Sequence, residues 1–115
     1  MAQTLRTVNL ELGMPQVSAA LQRLSGELYT SKRMGISVTK LIHGYGSSGA
    51  GGKTRLAVRR ELASKKAKGE IADFIPGEEF SIFNESTRRA LSKCGALRQD
   101  RDLDRYNNGV TFVVF

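Results

Sequence analysis

Leu41-Ile42-His43-Gly44-Tyr45-Gly46, running on to Gly51-Gly52-Lys53-Thr54-Arg55, decides how the chain is organised. The apolar start, with Ile36 and Val38 before it, predicts a strand rich in β-branched residues. Glycines follow at 44, 46, 49, 51 and 52. A helix is expected from about Lys53 to Lys66, with Ala57, Val58 and Leu62 on its core stripe, Thr54 on the same side, and Gly69 as its stop. Ligands of open α/β sheets bind beyond the carboxyl ends of strands. Glycine lets a phosphate approach the backbone, and a helix start offers unpaired N–H groups and partial positive charge. Gly44, Tyr45, Gly46, Gly52 and Lys53 are therefore a candidate phosphate-binding loop. The same composition also fits a plain flexible connector.

Residues 47–54 come close to a nucleotide-binding P-loop in the right strand–loop–helix setting. Ser47 stands where the first glycine belongs, and Asp73 lies inside its strand rather than after it, where a magnesium-holding carboxylate is needed. His43 closes the strand, where a polar side chain can meet solvent and substrate, and imidazole is the usual proton-transfer group near pH 7. A structural histidine is the plainer reading.

Upstream, Leu5, Val8, Leu10 and Leu12 predict a first strand over 5–12, broken by Gly13 and Pro15. Asn9 and Glu11 face away from the Val8–Leu12 side. Glu11 is a candidate to orient His43, bind a cation or activate water, or it is an exposed edge carboxylate. Val17, Ala20, Leu21, Leu24 and Leu28 form one helical stripe, stopped at Gly35. Downstream, Ile71, Ala72, Phe74 and Ile75 predict a short third strand before Pro76-Gly77.

Residues 76–108 differ in character, with many acids and little continuous apolar sequence. One short helix is expected from about Glu85 to Cys94, capped by Asn84 and stopped at Gly95. Glu78 and Glu79 form a weakly specified carboxylate pair. Cys94 reads as a packing residue. Gly109-Val-Thr-Phe-Val-Val-Phe115 is a nearly all-apolar strand, as suits a central, doubly covered position. Strands alternating with helices imply crossovers and a mainly parallel sheet. The 115 residues are expected to form a single domain, with 76–108 inserted before the last strand.

Eighteen Lys and Arg against eleven Asp and Glu give a net charge of +7. That balance favours a polyanionic partner, nucleic acid before membrane, although solubility alone also accounts for it. Seven of the basic residues lie between Lys53 and Lys68, against the single acid Glu61. Arg59, Arg60 and Lys66 are expected opposite the Val58–Leu62 stripe, with Arg55 near the glycine loop. Such a face suits tracking of a phosphate backbone without base readout, or is simply solvated. No stretch approaches the ~18 apolar residues of a spanning helix. Residues 1–10 lack an apolar signal core, and one cysteine makes no internal disulfide, so a reducing cytoplasm is expected.

Taken together, these residues resemble the small MutS-related domain, Smr. The similarity covers roughly residues 8–75 and 109–115, with Ile42-His43-Gly44-Tyr45-Gly46 as its most specific part. The resemblance implies a two-layer α/β sandwich with a four-stranded mixed sheet and two main helices on one face. That arrangement is like the C-terminal domain of translation initiation factor three, with a short helix inserted here. Members bind nucleic acid, and several are endonucleases on DNA or RNA. It implies a backbone-holding role for Arg55, Arg59, Arg60 and Lys66. For cleavage, His43 would transfer a proton or stabilise charge, Glu11 would activate water or hold Mg²⁺ or Mn²⁺, and Arg55 would neutralise developing charge. The family's first motif, Leu-Asp-Leu-His-Gly, is replaced here by Val8-Asn-Leu-Glu-Leu-Gly13, without the histidine. The alternative is therefore a non-catalytic nucleic-acid-binding or adaptor module.

Overall fold

The computed structural model describes residues 4–13, 16–44 and 51–115, so Tyr45 and Gly46 of the expected loop lie outside the described residues. Along the chain come β1 (Leu5–Asn9), α1 (Val17–Arg33), β2 (Val38–Ile42), α2 (Gly51–Ala67), β3 (Asp73–Pro76), α3 (Glu85–Lys93) and β4 (Val110–Val114), with 3₁₀ turns at Gly77–Glu79 and Gly95–Gln99. The strands form one sheet in the order β1-β2-β4-β3.

Both long helices stop where glycine makes it cheap. Gly35 and Gly69 adopt φ of +73° and +77°. In each case the glycine N–H and the next N–H fold back onto the last turn: Gly35 to Lys32 O and Ile36 to Ser31 O, Gly69 to Lys66 O and Glu70 to Lys65 O. These are Schellman closures, which satisfy otherwise orphaned carbonyls. The expected cap of α3 is also present, with the Asn84 side chain accepting from the Thr87 N–H. β1 ends earlier than the alternation predicts, at Asn9. There the side-chain oxygen of Asn9 accepts from the Glu11 N–H at 2.8 Å and turns the chain.

The sheet is mixed rather than mainly parallel. β1 and β2 pair in parallel, while β4 runs antiparallel to both β2 and β3. The reason lies in where β4 starts. Val110 stands opposite Ile42, and Thr111 opposite Pro76, so β4 begins where its two neighbours finish. All five of its residues are buried, as the apolar run predicts.

Strand alternation divides the core in two. On one face, Val8, Leu41 and Val113 pack with Leu24 and Leu28 of α1 and Val58 and Leu62 of α2. On the other, Val38, Ile75, Val110, Phe112 and Val114 pack with Ala90 and Leu91 of α3 and with Cys94, Phe80 and Leu97. Residues 77–107 thus add a covering layer to the sheet and the two-helix unit. That layer is clamped by an ion cluster. Lys40, buried on β2, meets Asp100 at 3.0 Å and Asp102 at 2.6 Å, and lies over the ring of its cross-strand partner Phe112. Burial alone would raise the Asp102 carboxyl, but hydrogen bonds from Lys40 and Asn107 hold it below its ordinary pKa. Gly77 lets the segment leave the sheet closely, since a Cβ there would run into the Asn107 carbonyl and Val110.

Candidate nucleic-acid interface

The carboxyl ends of β1 and β2, the start of β4 and the first turns of α2 converge at one end of the sheet. The backbone is knotted there by Gly109, whose carbonyl accepts from both His43 N–H and Gly44 N–H at 3.0 Å. Gly44 has φ of +79°, a conformation that favours glycine. The Glu11 carboxylate lies directly over its Cα, where a side chain at 44 would collide with it. Glu11 therefore lies at this strand end without orienting the His43 ring, whose partners are Gly44 and Thr111. The carboxylate belongs to an exposed residue and rests on Gly44 rather than on the imidazole.

His43 points inward toward α2 and is only 1% exposed. Its Nδ1 lies 2.9 Å from the Gly44 carbonyl and its Nε2 2.8 Å from Thr111 Oγ1. A carbonyl can only accept, so Nδ1 carries the hydrogen, and in the neutral ring Nε2 accepts from the threonine hydroxyl. Burial lowers the His43 pKa to about 4. The hydrogen bond to Gly44 opposes the shift, and the Arg59 and Arg55 charges add to it. At neutral pH the ring is an uncharged, doubly hydrogen-bonded post beneath the strand end.

Arg59 departs most from the expectation of a solvent-facing cation. Its guanidinium is largely buried and turned to the sheet. Nε donates to Thr111 Oγ1 at 3.1 Å, and the two terminal nitrogens each meet a Glu78 oxygen at 2.7 Å. One of those nitrogens also donates to the Asn108 and Val110 carbonyls. Helical periodicity puts Arg59 beside Val58, at the boundary of the apolar stripe, and a side chain this long reaches inward to the Asn108 and Val110 carbonyls. Burial would raise the Glu78 carboxyl, but the hydrogen bonds and charge of Arg59 hold it below its usual value. Glu78 is thus the ion-pair partner of an arginine, not half of a carboxylate dyad.

The other cations of α2 fall into two groups. Lys65 pairs with Glu61 and Glu70, and Lys66 with Asp73 at 3.0 Å. Asp73 opposes Val114, so Lys66 sits at the far end of the sheet from His43. Lys53, Arg55 and Arg60 make no ion pair among the described residues. Lys53 and Arg60 are exposed, Gly52 and Arg55 half-buried. The Arg55 charge acts on both His43 and Glu78, which places it at the same sheet end. Among the described residues no three His, Cys, Asp or Glu side chains converge as a metal site. Glu11 alone does not make a fitting donor set for Mg²⁺ or Mn²⁺. Among the described residues no helix is long and apolar enough to cross a membrane.

Thr111 was not singled out from sequence, although it is the only polar residue in the run from Val110 to Phe115. A hydroxyl in a central strand must find a partner, and that isolation was the available signal. No family model and no curated protein matches the chain. Among solved structures, the Smr domain of MutS2 from Thermus thermophilus is similar, with a TM-score of 0.59 and 22% identity over 95% of each chain. The chain has the fold of the Smr domain.

Proposed function

We propose that this protein is a Smr-like nucleic-acid-binding domain that holds a phosphodiester backbone where β1, β2 and α2 meet. The observation that carries it is the set Lys53, Arg55 and Arg60, without ion pairs among the described residues, on a helix whose other cations are paired. Cations left without carboxylates are the ones available to phosphate. Gly44 and Gly52 let the backbone come close, and the start of α2 adds N–H donors. Arg59 and His43 act beneath this surface, fixing Thr111 and the Gly44 turn. Lys66, at the opposite sheet end and paired to Asp73, contributes little. Arg55→Gln should weaken binding to duplex and single strand alike by about three- to tenfold, as for loss of one charged phosphate contact of about 1 kcal/mol. Unchanged affinity in a fluorescence-anisotropy titration would defeat this assignment.

A second reading, phosphodiester hydrolysis, is favoured by one feature: the exposed Glu11 carboxylate over Gly44. In that reading Glu11 takes a proton from water, Arg55 faces the charge gathering on the phosphate, and neutral His43 holds the turn in place. Nicking of supercoiled plasmid or cleavage of a structured RNA that disappears in Glu11→Gln would support it. Binding without cleavage by the native chain would leave the adaptor reading in possession.

A further inference from the structure

Apart from Glu78, the layer formed by residues 77–107 lies away from the sheet-end surface, and its exposed side carries the most uncovered rings among the described residues. Phe83 is 83% exposed, Tyr106 68% and Ile82 45%. The loops that bear them are tied together. The Asp104 N–H donates to Phe80 O at 2.9 Å, and Asp104 Oδ1 accepts from the Ile82 N–H at 3.2 Å. Tyr106 adopts φ of +57° and Asp104 φ of +62°. Asparagine or glycine would sit at +57° with less strain. Burial does not compensate the tyrosine, because its ring is in water.

Charge selects the partner. The segment has as many acids as bases in sequence, Glu78, Glu79, Glu85, Asp100, Asp102 and Asp104 against Arg88, Arg89, Lys93, Arg98, Arg101 and Arg105. The fold sorts them. Asp100 and Asp102 are drawn inward onto Lys40 and Glu78 onto Arg59, while Glu85 pairs with Arg89 at the surface and Glu79 and Asp104 stay exposed. The cations stay outside. Arg88 lies against the ring-bearing loop, donating to the Ile82 carbonyl at 2.9 Å, and exposed Arg105 is next to Tyr106. Exposed rings flanked by arginine suit the faces of unpaired bases and their phosphates, because stacking needs a π-face and the backbone needs positive charge. A duplex keeps its base faces covered.

We propose that Phe83 and Tyr106 form a stacking platform for unpaired bases of single-stranded nucleic acid, with Arg88 and Arg105 neutralising the adjoining phosphates. The proposal rests on the nucleic-acid-binding reading above and adds to it a second contact surface with a strand preference. The test is a titration of the intact chain with labelled oligouridine and with a duplex of equal length. The native chain is compared with Phe83→Ala/Tyr106→Ala, Phe83→Leu/Tyr106→Leu and Arg55→Gln/Arg60→Gln. Circular dichroism melting confirms folding, and the leucine pair keeps apolar bulk while removing the rings. Both ring-free variants should lose about tenfold or more in oligouridine affinity and less than about twofold for duplex. The arginine pair should lose affinity for both. Photo-crosslinking with bromouridine should give adducts at Phe83 or Tyr106. Equal oligouridine affinity in the native chain and the folded ring-free variants would overturn the platform and leave the sheet-end reading standing. A native chain that binds neither probe would overturn both.

Discussion

His43 is the residue on which sequence and structure say different things about one side chain. Its position at a strand end before Gly44 was legible, because the apolar run stops there. Its direction was not, because the next residue's φ of +79° and the inward turn of the ring depend on Gly109, Thr111 and Arg59, all distant in sequence. A buried neutral histidine makes stability depend on pH. The folded pKa of about 4 lies below the unfolded value near 6.5, so the unfolded chain binds the extra proton between them. Stability is then full above about pH 6.5 and falls on the order of 3 kcal/mol by pH 4. The carboxyls of Asp73, Glu78 and Asp102, all lowered, contribute the same sign of loss at more acid pH. Urea melts should show this slope in the native chain and a flatter one in His43→Gln over the same window. Equal slopes would mean that the ring does not titrate as buried. At Gly77 the constraint is steric. Gly77→Ala should cost about 2 kcal/mol, from the overlap of its Cβ with the Asn107 carbonyl and Val110. A loss under about 0.5 kcal/mol in the same melts would show that the turn can give way.

Among the elements, both long helices, the short helix with its Asn84 cap and all four strands were readable from stripe, alternation and glycine stops. Strand order was not, because it is set by where the chain returns after residue 108. The covering layer was legible only as a change of composition. Its acids look like solvated surface until Lys40 appears beneath them. A lysine in the strand Val38–Ile42 was the available sign, since a charge in a strand buried on both faces requires a partner. Lys40→Met leaves Asp100 and Asp102 buried together without their cation and should cost about 3–5 kcal/mol. Asp100→Asn with Asp102→Asn in that background should recover a large part, because the uncompensated charges are then gone. Chemical denaturation reads both, and a loss below about 1 kcal/mol for Lys40→Met would show that the cluster does not hold the layer down.

At the scale of the whole molecule, the net charge of +7 understates how the fold uses its charges. Ion pairs take up Arg59, Lys65 and Lys66 along α2 and Lys40 within the sheet, and leave Lys53, Arg55 and Arg60 without an ion pair among the described residues. The sequence showed that α2 was basic, but not that Arg59 and Lys66 were spent, because their partners Glu78 and Asp73 come from elements that only the tertiary fold brings alongside. The fold likeness to an Smr domain gives the architecture, and the free cations give the argument for a polyanion. Binding to duplex should accordingly be salt-dependent, with log affinity falling by roughly 0.9 per neutralised phosphate for each unit of log salt concentration. The most direct measurement is that slope, taken for the native chain and for Lys53→Gln/Arg55→Gln/Arg60→Gln. The account predicts a steep native slope that drops by about two to three in the triple variant, with weaker binding across all sequences. A slope identical in the two proteins would contradict it and place the nucleic-acid contact, if there is one, elsewhere on the molecule.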